Sequence, residues 1–108
     1  MRCYIAGPMR GYPDFNFPAF HDAARKLRLM GHEPVNPAAL DEIEGFDPTR
    51  DEPQTFAHYM ARDLPLVCGA DMVVVLPGWS QSKGAMLEAY VARQCGIPVR
   101  ALSLVLPT

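Results

Sequence analysis

The stretch from Met72 to Leu76 reads Met-Val-Val-Val-Leu and is closed by Pro77 and Gly78. A run this apolar lacks the alternation of a strand with one wet face, so both of its sides must be covered. That is the condition of a strand inside a parallel sheet, and it calls for helices above and below. The neighbouring sequence supplies them. Phe17, Phe20, Ala24 and Leu27 recur at helical steps after Asn16 and Pro18, with Gly31 as the stop and Phe15 placed to staple onto Phe20. A second helical pattern, from about Gln54, carries Phe56, Met60, Leu64 and Val67, with Pro65 late in it as a kink or a restart. A third runs from about Ser82 to Cys95, its core face expected through Gly84, Leu87, Val91 and Cys95.

Short extended runs alternate with these helices. Arg2 to Ala6 ends at Gly7-Pro8, Glu33 to Asn36 contains an edge-type proline, and Ile97 to Leu102 follows Gly96. The segment 37–53 holds three prolines, one glycine and six acidic residues, and is expected to be a long loop. The alternation predicts a single domain over residues 1–108, of α/β class. Its form is a flavodoxin-like or Rossmann-like doubly wound parallel sheet of four to five strands with helices on both faces. Right-handed crossovers would set the first and third strands side by side, with ligands bound beyond their carboxyl ends. The loops there are 7–14 and 77–82.

Composition narrows the function by exclusion. The net charge of −2 offers no footprint for a nucleic-acid polymer, so any anionic ligand needs a local site. Cys3, Cys68 and Cys95 form no CxxC and read as buried thiols in a reducing compartment, while the three histidines form no ligand set, so no metal and no cofactor are expected. The amino-terminal apolar stretch is short and broken by Gly7 and Pro8, and no run approaches a membrane span; a cytoplasmic protein without membrane contact is expected.

Glu88 is the most informative residue. Its neighbours at helical spacing are Gly84, Ala85, Val91 and Ala92, none of them cationic. A carboxylate against small apolar neighbours is costly unless paired or functional, although a surface glutamate on a good helix former fits the spacing as well. Asp63 likewise has Tyr59, Met60, Leu66 and Val67 around it, and is either an acid and hydrogen-bonding group or a solvated carboxylate. Ser82, Lys83 and Gly84 open the third helix, where free N–H groups suit a phosphate, or where serine simply caps. On the opposing loop, Gly7-Pro8-Met9-Arg10-Gly11 offers tight backbone and one guanidinium. Trp79 and Tyr12 could stack on a base or pack as a lid. Asp71 precedes the third strand, at the wrong edge of the sheet, and reads as structural.

Five stretches, YIAGPMRG at 4–11, FNFPAF at 15–20, GHEPVNPA at 31–38, RDLPLVCGADMVVVLPGW at 62–79 and SKGAMLEAYVARQCGIPV at 82–99, resemble the nucleoside 2-deoxyribosyltransferase superfamily. The resemblance implies an enzyme acting on the N-glycosidic bond of a nucleoside or (deoxy)nucleoside 5′-monophosphate, as an N-hydrolase or a transferase. By it, Glu88 matches the nucleophile that forms a glycosyl–enzyme, Asp63 the aspartate that helps at the leaving base, and Tyr4 the tyrosine beside the nucleophile. It also implies a homodimer or higher homo-oligomer. Ser82, where transferases tend to carry an aspartate, and Arg10 in a loop similar to GSIRG point to the 2′-deoxynucleoside 5′-phosphate N-hydrolase branch; Pro8 stands where that loop has serine. The competing reading is a non-catalytic nucleotide-binding or sensing module of the same fold.

Overall fold

Side chains alternate across a strand, and the first strand uses both sides for burial. The computed structural model, which describes residues 1–107, places β1 at Arg2–Ala6, with Cys3 and Ile5 facing one helical layer and Tyr4 and Ala6 the other. Its neighbours are β2 (Glu33–Val35) and β3 (Met72–Val75), and β4 (Val99–Ala101) completes a four-stranded parallel sheet in the order β2-β1-β3-β4. The expected doubly wound sheet is therefore found with four strands. Winding reverses between β1 and β3, where Tyr4 pairs with Val73.

On one face lies α1 (Phe17–Leu29), which buries Phe17, Phe20, Ala23, Ala24 and Leu27 against Cys3, Ile5, Val74 and Leu76. On the other lie α3 (Phe56–Cys68) and α4 (Lys83–Gln94), over Tyr4, Ala6, Val73 and Val75. Pro65 does not restart α3, which runs as one helix through Cys68. Proline removes only the bond to the carbonyl of Ala61, and Ala61 is exposed to water.

Several expectations are corrected. The acidic segment is not all loop: Pro37–Ile43 forms α2, with Asn36 as N-cap accepting from the Ala38 N–H at 3.0 Å. Pro37 fits because the first helical position needs no N–H. The buried stripe of α4 runs through Ala85, Glu88, Ala89 and Ala92, one position round from the expected face, and Cys95 is exposed. Alanines let the helix lie close on the valine-rich sheet, which larger residues would prevent. Cys68 is exposed too, so only Cys3 is a buried thiol. Phe15 packs edge-on against Phe46, with centroids 5.4 Å apart, and against the core cluster that holds Phe20. The last strand is shorter than expected, because a short helix, α5 (Leu102–Val105), begins at Leu102.

The loop after β1 is tightly drawn. A Cβ on Gly7 would come within 2.9 Å of the Leu76 Cβ, and Gly78 turns at φ 84°, so both positions need glycine. Asp14, Phe15 and Asn16 then adopt left-handed backbone at φ 52°, 51° and 61°. The Asn16 side chain donates to the Pro8 carbonyl at 2.9 Å instead of capping α1.

Candidate active site

Tyr4 stands in mid-strand beneath α4, fully buried, and its hydroxyl donates to Glu88 Oε2 at 2.6 Å. Glu88 is only 5% exposed, pointing down onto the sheet rather than out to solvent. Burial pushes its carboxyl up to about 8; the Tyr4 hydrogen bond works against that rise, nearby Asp63 adds to it, and Arg62 opposes it. Tyr4 is driven well above the usual phenol range, by burial first and then by the negative charge of Glu88 and Asp63.

Asp63 projects from α3 toward the same place and is likewise buried. Its two oxygens are gripped by the neighbouring Arg62, Nε to Oδ1 at 2.6 Å and Nη2 to Oδ2 at 3.2 Å. The other side of that guanidinium holds Asp41 of α2 at 2.6 Å and Glu44 at 3.3 Å. Burial lifts Asp41 above the ordinary carboxylate range although Arg62 pulls it down. For Arg62 burial works to remove the charge, but Asp63 and Asp41 outweigh it and hold the guanidinium above its usual value.

These groups form the floor of a cavity of about 530 Å³ at the carboxyl ends of β1 and β3, within the range of small-ligand sites. Phe15, Phe46, Phe56 and Tyr59 supply an aromatic wall. The mouth is polar and basic. Ser82 caps α4 by accepting from the Ala85 N–H at 3.2 Å, and Lys83 Nζ sits 4.2 Å from the centre of the Phe56 ring. Arg10 donates to the Gln54 carbonyl at 3.1 Å, and Gly7, Pro8, Met9 and Gly84 also border the space.

Most of the expected site residues thus meet in one cavity: Tyr4, Asp63 and Glu88 at the floor, residues 7–10 and 82–84 at the rim. Two do not. Gly11 turns at φ 83° outside the lining, and Trp79 packs beneath Arg93, 5.7 Å from its ring centre, beside a separate hollow near Ala101 and Leu102. Tyr12, unlike Trp79, does border the cavity. Asp71 binds the Arg2 N–H at 2.8 Å at the far end of the sheet, a structural tie as expected. Neither Arg62 nor Asp41 stands out in the sequence, because adjacent helical residues diverge and a proline-rich acidic segment has the composition of a loop. The one available signal was Arg62 lying next to Asp63 in a chain with few cations nearby.

Residues 1–101 match the model of a family described as Domain of unknown function (DUF4406). The chain belongs to that family. This DUF4406 member matches no curated protein. Among solved structures it is similar to a 2-deoxyribosyltransferase from the psychrotolerant bacterium Bacillus psychrosaccharolyticus, with a TM-score of 0.68 and 19% identity over 94% of this chain and 71% of that one. At that identity the likeness establishes that the DUF4406 chain shares the enzyme's fold. Among the described residues no helix is long and apolar enough to cross a membrane, and no cluster of potential metal ligands occurs.

Proposed function

We propose that the protein, a single nucleoside 2-deoxyribosyltransferase-like domain, cleaves or transfers at the N-glycosidic bond of a (deoxy)nucleoside 5′-monophosphate or nucleoside. The observation that carries the reading is Glu88, buried at a cavity floor and held by the Tyr4 hydroxyl at 2.6 Å. A carboxylate so fixed can stabilise an oxocarbenium-like sugar and then trap it. In the proposed step a Glu88 oxygen bonds to the anomeric carbon as the carbon–nitrogen bond breaks, and the electron pair leaves with the base, which takes up a proton relayed from water by way of Asp63. Asp63 faces the base, and water or a second base then displaces Glu88 from the sugar. A free basic rim supports a phosphorylated substrate: Arg10, Lys83 and the N–H groups opening α4 can hold the charge, and Ser82 adds no repulsion.

Nucleophilic attack needs Glu88 ionised, and burial works against that form, pushing the carboxyl up to about 8. That single feature favours the second reading, a nucleotide-binding module without turnover. Incubation with deoxynucleoside monophosphates, with and without an acceptor base, separates the readings by chromatography of free and exchanged bases. Base release with a Glu88-linked sugar detected by peptide mass supports the enzyme. Tight binding that survives Glu88→Ala, with no base released by the parent, supports the module. Met86 and Tyr90 on the outer side of α4 are 50% and 59% exposed, which supports self-association in the resting protein. Sedimentation of a single monomeric species would remove the homodimer from the proposal.

A further inference from the structure

Neighbouring residues on a helix do not normally face each other, yet Arg62 reaches back to hold both oxygens of Asp63. Its far side is anchored by Asp41, which is buried, and the guanidinium itself is mostly covered. Burying an ion triad costs desolvation that apolar packing would avoid, so stability alone is a poor reason for it. We propose that Arg62, anchored by Asp41, is a positioning residue whose fork fixes the Asp63 carboxyl group toward the departing base. The inference rests on the reading of Glu88 and Asp63 as the reacting pair.

The fork takes one lone pair on each Asp63 oxygen and leaves another on each for a ligand. The free lone pairs can accept an N–H of the base or carry the proton that passes from water to the departing nitrogen, so the base is neutralised as the carbon–nitrogen bond breaks. Charge follows from the same geometry. Glu88 is faced by Tyr4 from β1 and by Asp63 and Arg62 from α3, with Lys83 and Arg10 at the mouth of the same cavity. Of these, Arg62 is the cation whose field lowers Glu88.

Fork and charge separate in three variants of the full chain, Arg62→Gln, Arg62→Lys and Asp41→Asn, each checked for folding by near-ultraviolet circular dichroism. The readouts are kcat and KM for base release, and the Glu88 titration followed by carboxyl carbon-13 NMR. Arg62→Gln removes both fork and charge: kcat should fall on the order of 10²-fold with KM changed little, and the Glu88 midpoint should rise by about one pH unit. Arg62→Lys keeps the charge without the fork, so kcat should fall on a similar order while the midpoint stays near that of the parent. Asp41→Asn loosens the anchor and should lower kcat roughly tenfold.

Full recovery of kcat by lysine, a loss carried by KM, or an unmoved Glu88 midpoint in Arg62→Gln would each overturn the inference. If Arg62→Gln does not fold, Arg62→Lys and Asp41→Asn carry the test through the same kcat and KM readouts. A parent that releases no base from any nucleotide overturns the functional reading together with the kcat arm, whereas the titration still decides the electrostatic arm by itself.

Discussion

The floor and the rim of the cavity are built on opposite principles. At the floor every charged group is spoken for within the protein: Glu88 by Tyr4, Asp63 and Asp41 by Arg62. At the rim the cations meet only weak partners, Arg10 a backbone carbonyl and Lys83 the face of Phe56. The floor is preorganised at a cost in desolvation, as a site that stabilises a developing charge must be. The rim keeps its charge in reserve, as a site that recruits an anion must. Changes at the floor should therefore alter rate and the response to pH, whereas changes at the rim should alter affinity.

The largest effect is expected from Glu88→Gln, which keeps the shape and removes the carboxylate proposed as nucleophile. Turnover should drop by on the order of 10⁴-fold or more, measured as base released in a single turnover. The same change should stabilise the fold at alkaline pH. Glu88 is raised from 4.5 to about 8 on folding, so the native state binds the proton more tightly than the unfolded chain. Its contribution to stability is complete below about 4.5 and is lost as pH rises toward 8. Glutamine has no such loss, and at pH 9 the variant should melt roughly 5–10 °C above the parent, with the gap closing toward pH 5. Equal melting temperatures at both pH values would mean that the carboxylate is better solvated than its surroundings imply.

Next in size is the pH profile and its dependence on Tyr4. With the ionised Glu88 attacking as proposed, kcat/KM of the parent should climb through neutral pH and level off above about 8. Tyr4→Phe deletes the hydrogen bond that holds Glu88 down, and so should shift the climb to higher pH. At pH 7 the rate should fall on the order of 10²-fold, and part of it should return at pH 9. A profile flat from pH 6 to 9 in the parent would break the contrast between floor and rim, since Glu88 would then titrate below that range like an ordinary solvated carboxylate.

How far this contrast could be read from the sequence follows from the kind of interaction involved. The sheet order, Glu88 and the two ligand-side loops depend on local periodicity and on the rules of parallel winding, both visible along one chain. The inward direction of Glu88 was legible only in part. Helical spacing placed it beside the buried stripe, and the alanines at 85, 89 and 92 turned that stripe through its own position. Arg62 and Asp41 meet across 21 positions, through a helix that begins at a proline, and no pattern of spacing carries such a contact. Trp79 misled for a different reason: its place after β3 was right for a ligand, but the chain turns at Gly78 and sends the ring to the other side of the loop.

At the rim, Arg10→Ala should raise KM for a 5′-monophosphate by roughly tenfold and leave that for the matching nucleoside nearly unchanged. Added salt should shrink the difference, since the group is exposed. Equal losses for both substrates would make the link from Arg10 to Gln54 an architectural one.

The smallest effect is expected from Trp79→Phe, and it marks where the rim ends. Trp79 lies under Arg93 and beside Leu102 and Leu106, outside the cavity that holds Tyr4 and Glu88. Losing the larger ring should cost about 1 kcal/mol of stability through packing and cation–π contact. KM and kcat should stay within about twofold of the parent, because no atom removed borders the substrate space. A tenfold rise in KM for purine nucleotides, with little change for pyrimidines, would show that the 79–81 turn swings over the mouth when a base is bound. The rim would then extend to the Gly78 turn, and Trp79 would return to the stacking role its sequence position suggested.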